Sequence, residues 1–371
     1  MNASVAMDRL SLGVAVSAVV TVAAASWFLK KQRLVVQQGD EPEAALPPPD
    51  ALFCTLQRTG HRIRYTDTHH AINHTDTTST ETTSQVSTTT TTPNPTTTLV
   101  FVHGFGGCLE TWQPLLPHLM NKQPPAYRLV CLDLLGNGFS DKPIGDPSVD
   151  YSFRGLRRDI VTDFVHTMGL TSSSDDDDSS KLVLVGHSAA SIVLAAASAQ
   201  LGREHCHGLC LVAPGFFLSK PSLLVRLPAL GRALGRYLLA PRMVNMMRSS
   251  HLDPDGNIPP TVATAFAQQW KTRHAVEALQ AMVTASEPPY YQALYDIPAA
   301  MPLHIVWSTQ DRVNPPAVAK VQAYLDDNNG NSSSTASPKF TYAILSGSGH
   351  YLQHEVPFQL AQQIVDFVKG L

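Results

Sequence analysis

The chain of 371 residues has little net charge, few cysteines and a single long uncharged apolar run. Twenty-seven basic against 30 acidic residues leave a formal charge of −3, too weak a field to gather nucleic acid or to repel an anionic substrate. Recognition therefore falls to local features, and nucleic acid is not an expected partner. The five cysteines, Cys54, Cys108, Cys131, Cys206 and Cys210, are odd in number and mostly embedded in apolar runs. That argues against the disulfide framework of a small secreted scaffold and mildly favours a reducing compartment. Acidic residues are also missing from 217–248, where Lys220, Arg226, Arg232, Arg236, Arg242 and Arg248 are interleaved with Leu and Met.

The apolar run is residues 10–29, uncharged and followed by Lys30, Lys31 and Arg33. About 20 such residues match the hydrocarbon core of a bilayer, so 1–34 reads as a single-pass membrane anchor with the carboxy-terminal part facing the cytoplasm. The competing reading is a cleaved signal peptide, for which Ala23, Ala24, Ala25 and Ser26 offer a small-residue site. Residues 35–60 then read as a linker, because their Glu, Pro and Gln cannot bury enough apolar surface to order a core. A Thr-rich stretch at 75–98, an Asp run within 172–180 and an Asn- and Ser-rich stretch at 326–338 read as surface loops. The aspartates lack a turn-forming scaffold and read as solvated rather than metal-binding.

Between these loops, 61–65 alternates like a strand, and short β-branched runs occur at 99–102, 128–132, 181–185, 208–212, 303–306 and 340–345. Helical stretches separate them, which is the cadence of an α/β fold with a mostly parallel sheet and crossover helices. Residues 216–300 hold no convincing strand and read as an inserted helical cap. The core is then 61–215 together with 301–371.

Gly186-His187-Ser188-Ala189-Ala190 stands directly after one strand and before the helical run 191–199. A serine hydroxyl is a weak nucleophile, so it must be lifted on a strained turn where a base can reach it and backbone donors face the reacting carbonyl. Ala190 occupies the place where glycine is usual. His103-Gly104-Phe105-Gly106-Gly107 follows the strand 99–102, and the Phe105 and Ala189 N–H groups together offer an oxyanion pocket, an effect of roughly 3 kcal/mol per donor. His350, on the loop Ser346-Gly347-Ser348-Gly349, is the candidate base, with His354 as its rival. Asp311, just beyond the strand 303–306 and ahead of Asn314-Pro315-Pro316, is the candidate acid that fixes the imidazole tautomer. Asp133 reads as a loop brace. His205, Cys206, His207 and Cys210 are spaced like metal ligands, but 208–212 reads as a buried strand, so no metal and no cofactor are assigned.

With Asp133-Leu134-Leu135-Gly136-Asn137-Gly138-Phe139-Ser140-Asp141-Lys142-Pro143 and Glu355-Val356-Pro357, these motifs make 61–371 resemble the α/β-hydrolase superfamily, in its branch with a helical cap after the sixth strand. The resemblance implies Ser188, Asp311 and His350 as a triad and Phe105 and Ala189 as oxyanion donors. Relatives with dehalogenase or epoxide hydrolase activity carry aspartate at the nucleophile position, which Ser188 does not match. The expected activity is cleavage of a small-molecule ester, with a lipid or other apolar acyl group suggested by the anchor and the basic amphipathic cap. The same triad also serves carbon–carbon hydrolases, acyltransferases and lyases, and some ligand-binding or accessory proteins of this fold retain it with little turnover. The sequence leaves the oligomeric state open.

Overall fold

The computed structural model describes residues 44–69, 97–120, 127–146, 149–171, 181–218, 242–254, 256, 258–286, 288–331 and 339–371. The chain divides into two units, Met1–Ala44 and Ala45–Leu371. The apolar run 10–29 lies outside the described residues, as do the Asp run, most of the Thr-rich stretch, and Lys220, Arg226, Arg232 and Arg236 of the basic segment. Among the described residues, no helix is long and apolar enough to cross a membrane.

Among the described residues, eight strands build one sheet: β1 Leu52–Thr55, β2 Arg62–Asp67, β3 Thr97–Val102, β4 Arg128–Leu132, β5 Lys181–His187, β6 Gly208–Val212, β7 Pro302–Ser308 and β8 Lys339–Leu345. Their spatial order is β1-β2-β4-β3-β5-β6-β7-β8. The pairs β1/β2 and β2/β4 are antiparallel, and every other pair is parallel. Parallel strands need crossovers that cover both faces, which is why the central runs are apolar throughout instead of alternating. In β3, Val100 and Val102 enter one core cluster while Leu99 and Phe101 enter the other.

The described α-helices are α1 Leu116–Met120, α2 Leu156–Thr167, α3 Ala190–Leu201, α4 Met243–Ser249, α5 Pro260–Gln268, α6 Ala275–Ala285, α7 Val318–Asn331, α8 Leu352–Glu355 and α9 Pro357–Lys369. Ile160 and Phe164 of α2, Ile192 and Leu194 of α3, and Val321 and Leu325 of α7 fill the first cluster. Leu119 of α1 and Leu360, Ile364 and Val368 of α9 fill the second. Fully burying a residue such as Phe164 or Leu194 contributes about 1.5–3 kcal/mol, so these two layers dominate the stability of the unit.

Several boundaries differ from expectation; the Asn- and Ser-rich stretch read as a surface loop at 326–338 begins inside a helix, since α7 runs to Asn331. The linker 35–60 contains β1, whose four residues are too few to show a periodicity, yet they pair from Leu52 opposite Tyr65 to Thr55 opposite Arg62. The Thr-rich stretch ends earlier than expected, because Thr97 and Thr98 already pair with Lys181 and Leu182 in the sheet. Within 216–300 the described elements are helical, but the 3₁₀ segment Tyr290–Asp296 buries Tyr290, Ala293 and Leu294 in the first core cluster. That segment belongs physically to the core. Asp133 braces the loop after β4 as expected: its carboxylate accepts the Leu109 N–H at 2.7 Å and the Phe139 N–H at 2.9 Å, with Arg64 at 3.4 Å.

Candidate active site

Every candidate residue leaves the carboxyl edge of the sheet, where parallel strands release their loops around a common crevice. His103 to Gly107 follow β3, Ser188 follows β5, Asp311 follows β7 and His350 follows β8. The structure brings Ser188, His350 and Asp311 together. His350 Nε2 lies 3.0 Å from Ser188 Oγ, and His350 Nδ1 lies 2.8 Å from Asp311 Oδ2. All three are buried.

Ser188 has φ of 54°, a left-handed conformation that a serine adopts only when its surroundings impose it. The surroundings are specific. Its N–H donates to Val212 O at 2.9 Å, and a Cβ on Gly186 would lie 2.6 Å from Leu194 and 3.3 Å from Ala190. Ala190 is thus accommodated in place of glycine because residue 186 has no side chain.

The two candidate oxyanion donors are aimed by a shared device. A peptide unit is planar with its C=O and N–H pointing to opposite sides, so anchoring the oxygen turns the hydrogen the other way. Ser188 O accepts from Ser191 N at 3.0 Å, Ser191 Oγ at 2.7 Å and Gly215 N at 3.0 Å, which fixes the peptide carrying the Ala189 N–H. Gly104 O accepts from Gly107 N at 3.1 Å and from His103 Nδ1–H at 2.8 Å, which fixes the peptide carrying the Phe105 N–H. His103 Nε2 in turn accepts the Leu134 N–H at 3.1 Å, so its tautomer is set. From the cap, Gln269 donates to Gly106 O at 3.0 Å and accepts the Gly138 N–H at 3.2 Å.

Asp311 Oδ1 accepts the Val313 N–H at 2.7 Å and the Asn314 N–H at 2.9 Å. Burial alone would push its carboxyl up, but the hydrogen bond and charge of His350 together with these N–H donors outweigh it and hold it below the usual range. Asn314 donates from Nδ2 to Ala213 O at 2.9 Å and sits 3.5 Å from Ser188 Oγ. The next helix, α7, begins only at Val318. His187 donates from Nε2 to the His350 carbonyl at 2.9 Å, and burial, then the charge of His350, hold its own ring well below the ordinary imidazole range.

His354, the rival base, faces away from Ser188. Its Nε2–H donates to Thr111 O at 3.0 Å, and its Nδ1 shares a hydrogen bond with His251 Nε2 at 2.9 Å. Burial, reinforced by the charge of His251, pushes it down to about 3. Burial also pushes Cys206 and Cys210 up to about 12.

A cavity of about 380 Å³ opens on Ser188 and His350. Met243, Met246 and Met247 of α4, Met282 of α6, Phe105 and Phe266 are among its walls. Among the described residues that line it, none apart from His350 is ionisable at neutral pH, and their side chains suit an uncharged apolar group. His103, His187 and Asn314 stood inside the sequence motifs without a role of their own, whereas Ser191, Gly215 and Gln269 carried no local signal.

The model of the Alpha/beta hydrolase family matches residues 99–363. The chain belongs to that family, whose members are hydrolases with esterases among them. It is similar to an uncharacterised protein of Mycobacterium tuberculosis, at 26% identity over 286 residues that cover 73% of this chain and 74% of that one. A shorter likeness, 39% over 72 residues, covers 19% of this chain and 22% of a fluoroacetate dehalogenase of Burkholderia sp. Among solved structures, a thermophilic esterase from Thermogutta terrifontis shares the fold with a TM-score of 0.59 and 17% identity, covering 86% of this chain and 98% of that one.

Proposed function

We propose that the protein is a serine ester hydrolase acting on apolar acyl esters, with Ser188 as nucleophile, His350 as general base and Asp311 as the acid that orients it. The observation that carries this reading is the continuous chain of contacts, 2.8 Å from Asp311 to His350 and 3.0 Å from His350 to Ser188, at the floor of an apolar cavity. His350 Nε2 accepts the Oγ proton as Oγ attacks the ester carbonyl. The Phe105 and Ala189 N–H groups receive the developing oxyanion. His350 then protonates the leaving alcohol oxygen, and the same imidazole activates water to release the acid from Ser188. Asp311, held below its usual range, stays anionic throughout and keeps Nδ1 protonated.

The lipid character of the substrate rests on the uncharged cavity and on the run 10–29, which on this reading anchors the enzyme at a membrane, with the basic stretch 217–248 near anionic headgroups. Ser188 stands where the superfamily resemblance implies aspartate for a dehalogenase, so the reaction of the dehalogenase is not carried over to this chain. The test is hydrolysis of p-nitrophenyl esters of rising acyl length by the wild type and Ser188→Ala. The expected result is turnover that favours longer chains and a loss of about 10⁵-fold or more in the variant. Equal rates in the two proteins would refute the assignment of Ser188.

A further inference from the structure

The candidate base is not held by the core alone. Its own N–H donates to Ser250 O, in the turn that follows α4 of the cap, at 2.7 Å. One carboxylate completes the seam: Glu355 accepts the Gly349 N–H on Oε2 at 2.7 Å and the Leu252 N–H on Oε1 at 2.7 Å. The cap turn and the loop carrying His350 therefore share a side chain, which sits at the end of α8 in the core. Contact is close enough to exclude any side chain at 349, where a Cβ would lie 2.5 Å from Ser250 O and 2.7 Å from Leu252 N. His251 adds the hydrogen bond to His354, and its ring stacks on Tyr351 with centroids 4.8 Å apart.

The same cap segment walls the cavity. Met243, Met246 and Met247 of α4 line it, and Ser250, one residue past the helix end, lines it too. A group that fills the cavity thus bears on a seven-residue helix whose last turn runs straight into the anchors of His350. Well-packed elements transmit such contacts because they have no slack to absorb them.

We propose that the cap turn 250–253 is part of the seat of the base, and that Glu355 is a positioning residue through which an acyl chain in the cavity sets His350 for proton transfer. This rests on the ester hydrolase reading above. Binding energy from a part of the substrate remote from the reacting carbonyl then appears in kcat, not only in KM. Glu355 touches neither substrate nor the reacting atoms.

The test compares p-nitrophenyl acetate with p-nitrophenyl decanoate, with kcat expressed per site titrated by a fluorophosphonate so that misfolded protein drops out. In the wild type, kcat rises about tenfold or more from the acetyl to the decanoyl ester, since sub-ångström placement of a base governs rates on that scale. Glu355→Gln replaces one of the two accepting oxygens with an NH₂ that cannot accept, and the rise disappears while KM for the decanoate stays within about twofold. A rise of wild-type size in the variant, or an equal fall on both esters, overturns the proposal. A second measurement needs no variant. Hydrogen exchange at the Gly349, His350 and Leu252 amides slows when the wild type carries a decanyl phosphonate and not when it carries a methyl phosphonate; equal protection by both overturns the proposal. Wild type that titrates normally but fails these comparisons counts against the seam alone, whereas wild type that takes no fluorophosphonate counts against the hydrolase reading itself.

Discussion

Ser188 and His350 meet at 3.0 Å, yet their surroundings are built differently. Ser188 is fixed entirely within the core, by Val212, Ser191 and Gly215 around a strained turn between β5 and α3. His350 is fixed half by the core, through His187 and Asp311, and half by the cap, through Ser250. A nucleophile on a packed strand-helix turn needs no ligand to stay in place, whereas a base on a loop shared with a cap takes its position partly from the cap. The contrast suggests a division of labour in which the core presets the attacking atom and the cap completes the proton path.

The largest effect is expected at Asp311. Asp311→Asn keeps the shape but offers an amide where the imidazole needs an acceptor, favouring the wrong tautomer. The expected loss in kcat/KM is about 10⁴-fold with little change in folding, read from steady-state kinetics beside a thermal melt. On the nucleophile side, Ser191→Ala removes one of the three donors to Ser188 O and the acceptor that Gly215 N shares. It should lower stability by about 1 kcal/mol and kcat by several-fold, with KM unchanged, because the Ala189 N–H loses part of its aim. An unchanged kcat would place the aiming of that donor elsewhere.

The smallest effect concerns pH. His354 is held neutral and far below its ordinary value near 6.5, so the unfolded chain binds more protons than the folded one between about 6.5 and about 3. The stability this group contributes is complete above pH 6.5 and is lost as the pH falls toward 3. Melting temperature should therefore drop across that window, and His354→Gln should flatten the drop. A variant with the same slope as the wild type would show that other groups carry it.

Much of the core side was legible because its chemistry is local in sequence. Ser188 came with its strand and helix on either side, and six of the eight described strands announced themselves as β-branched runs: central ones such as β5 and β6 because they are buried on both faces, and the edge strand β8, whose residues are exposed or half-buried, by composition alone. β1 escaped because four residues pairing antiparallel at an edge carry no period. The cap side was far less legible. Gln269 reaches Gly106 across 163 positions and Glu355 reaches Leu252 across 103, and such contacts leave no trace in local composition. Glu355 was visible only as part of a motif, and nothing in the loop Ser346 to Gly349 announced that the structure sews it to the cap. His354 and His350 could be ranked by motif but not separated by geometry until the sheet placed one toward Ser188 and the other toward Thr111.

Ser188 Oγ is the atom acylated in the proposed reaction. Treating the wild type with a fluorophosphonate and mapping the adduct by peptide mass spectrometry tests it most directly. One adduct per chain on the peptide containing Ser188, absent from Ser188→Ala and strongly slowed in His350→Ala, is the predicted result. An adduct on another residue, or none at all in folded wild-type protein, would contradict it.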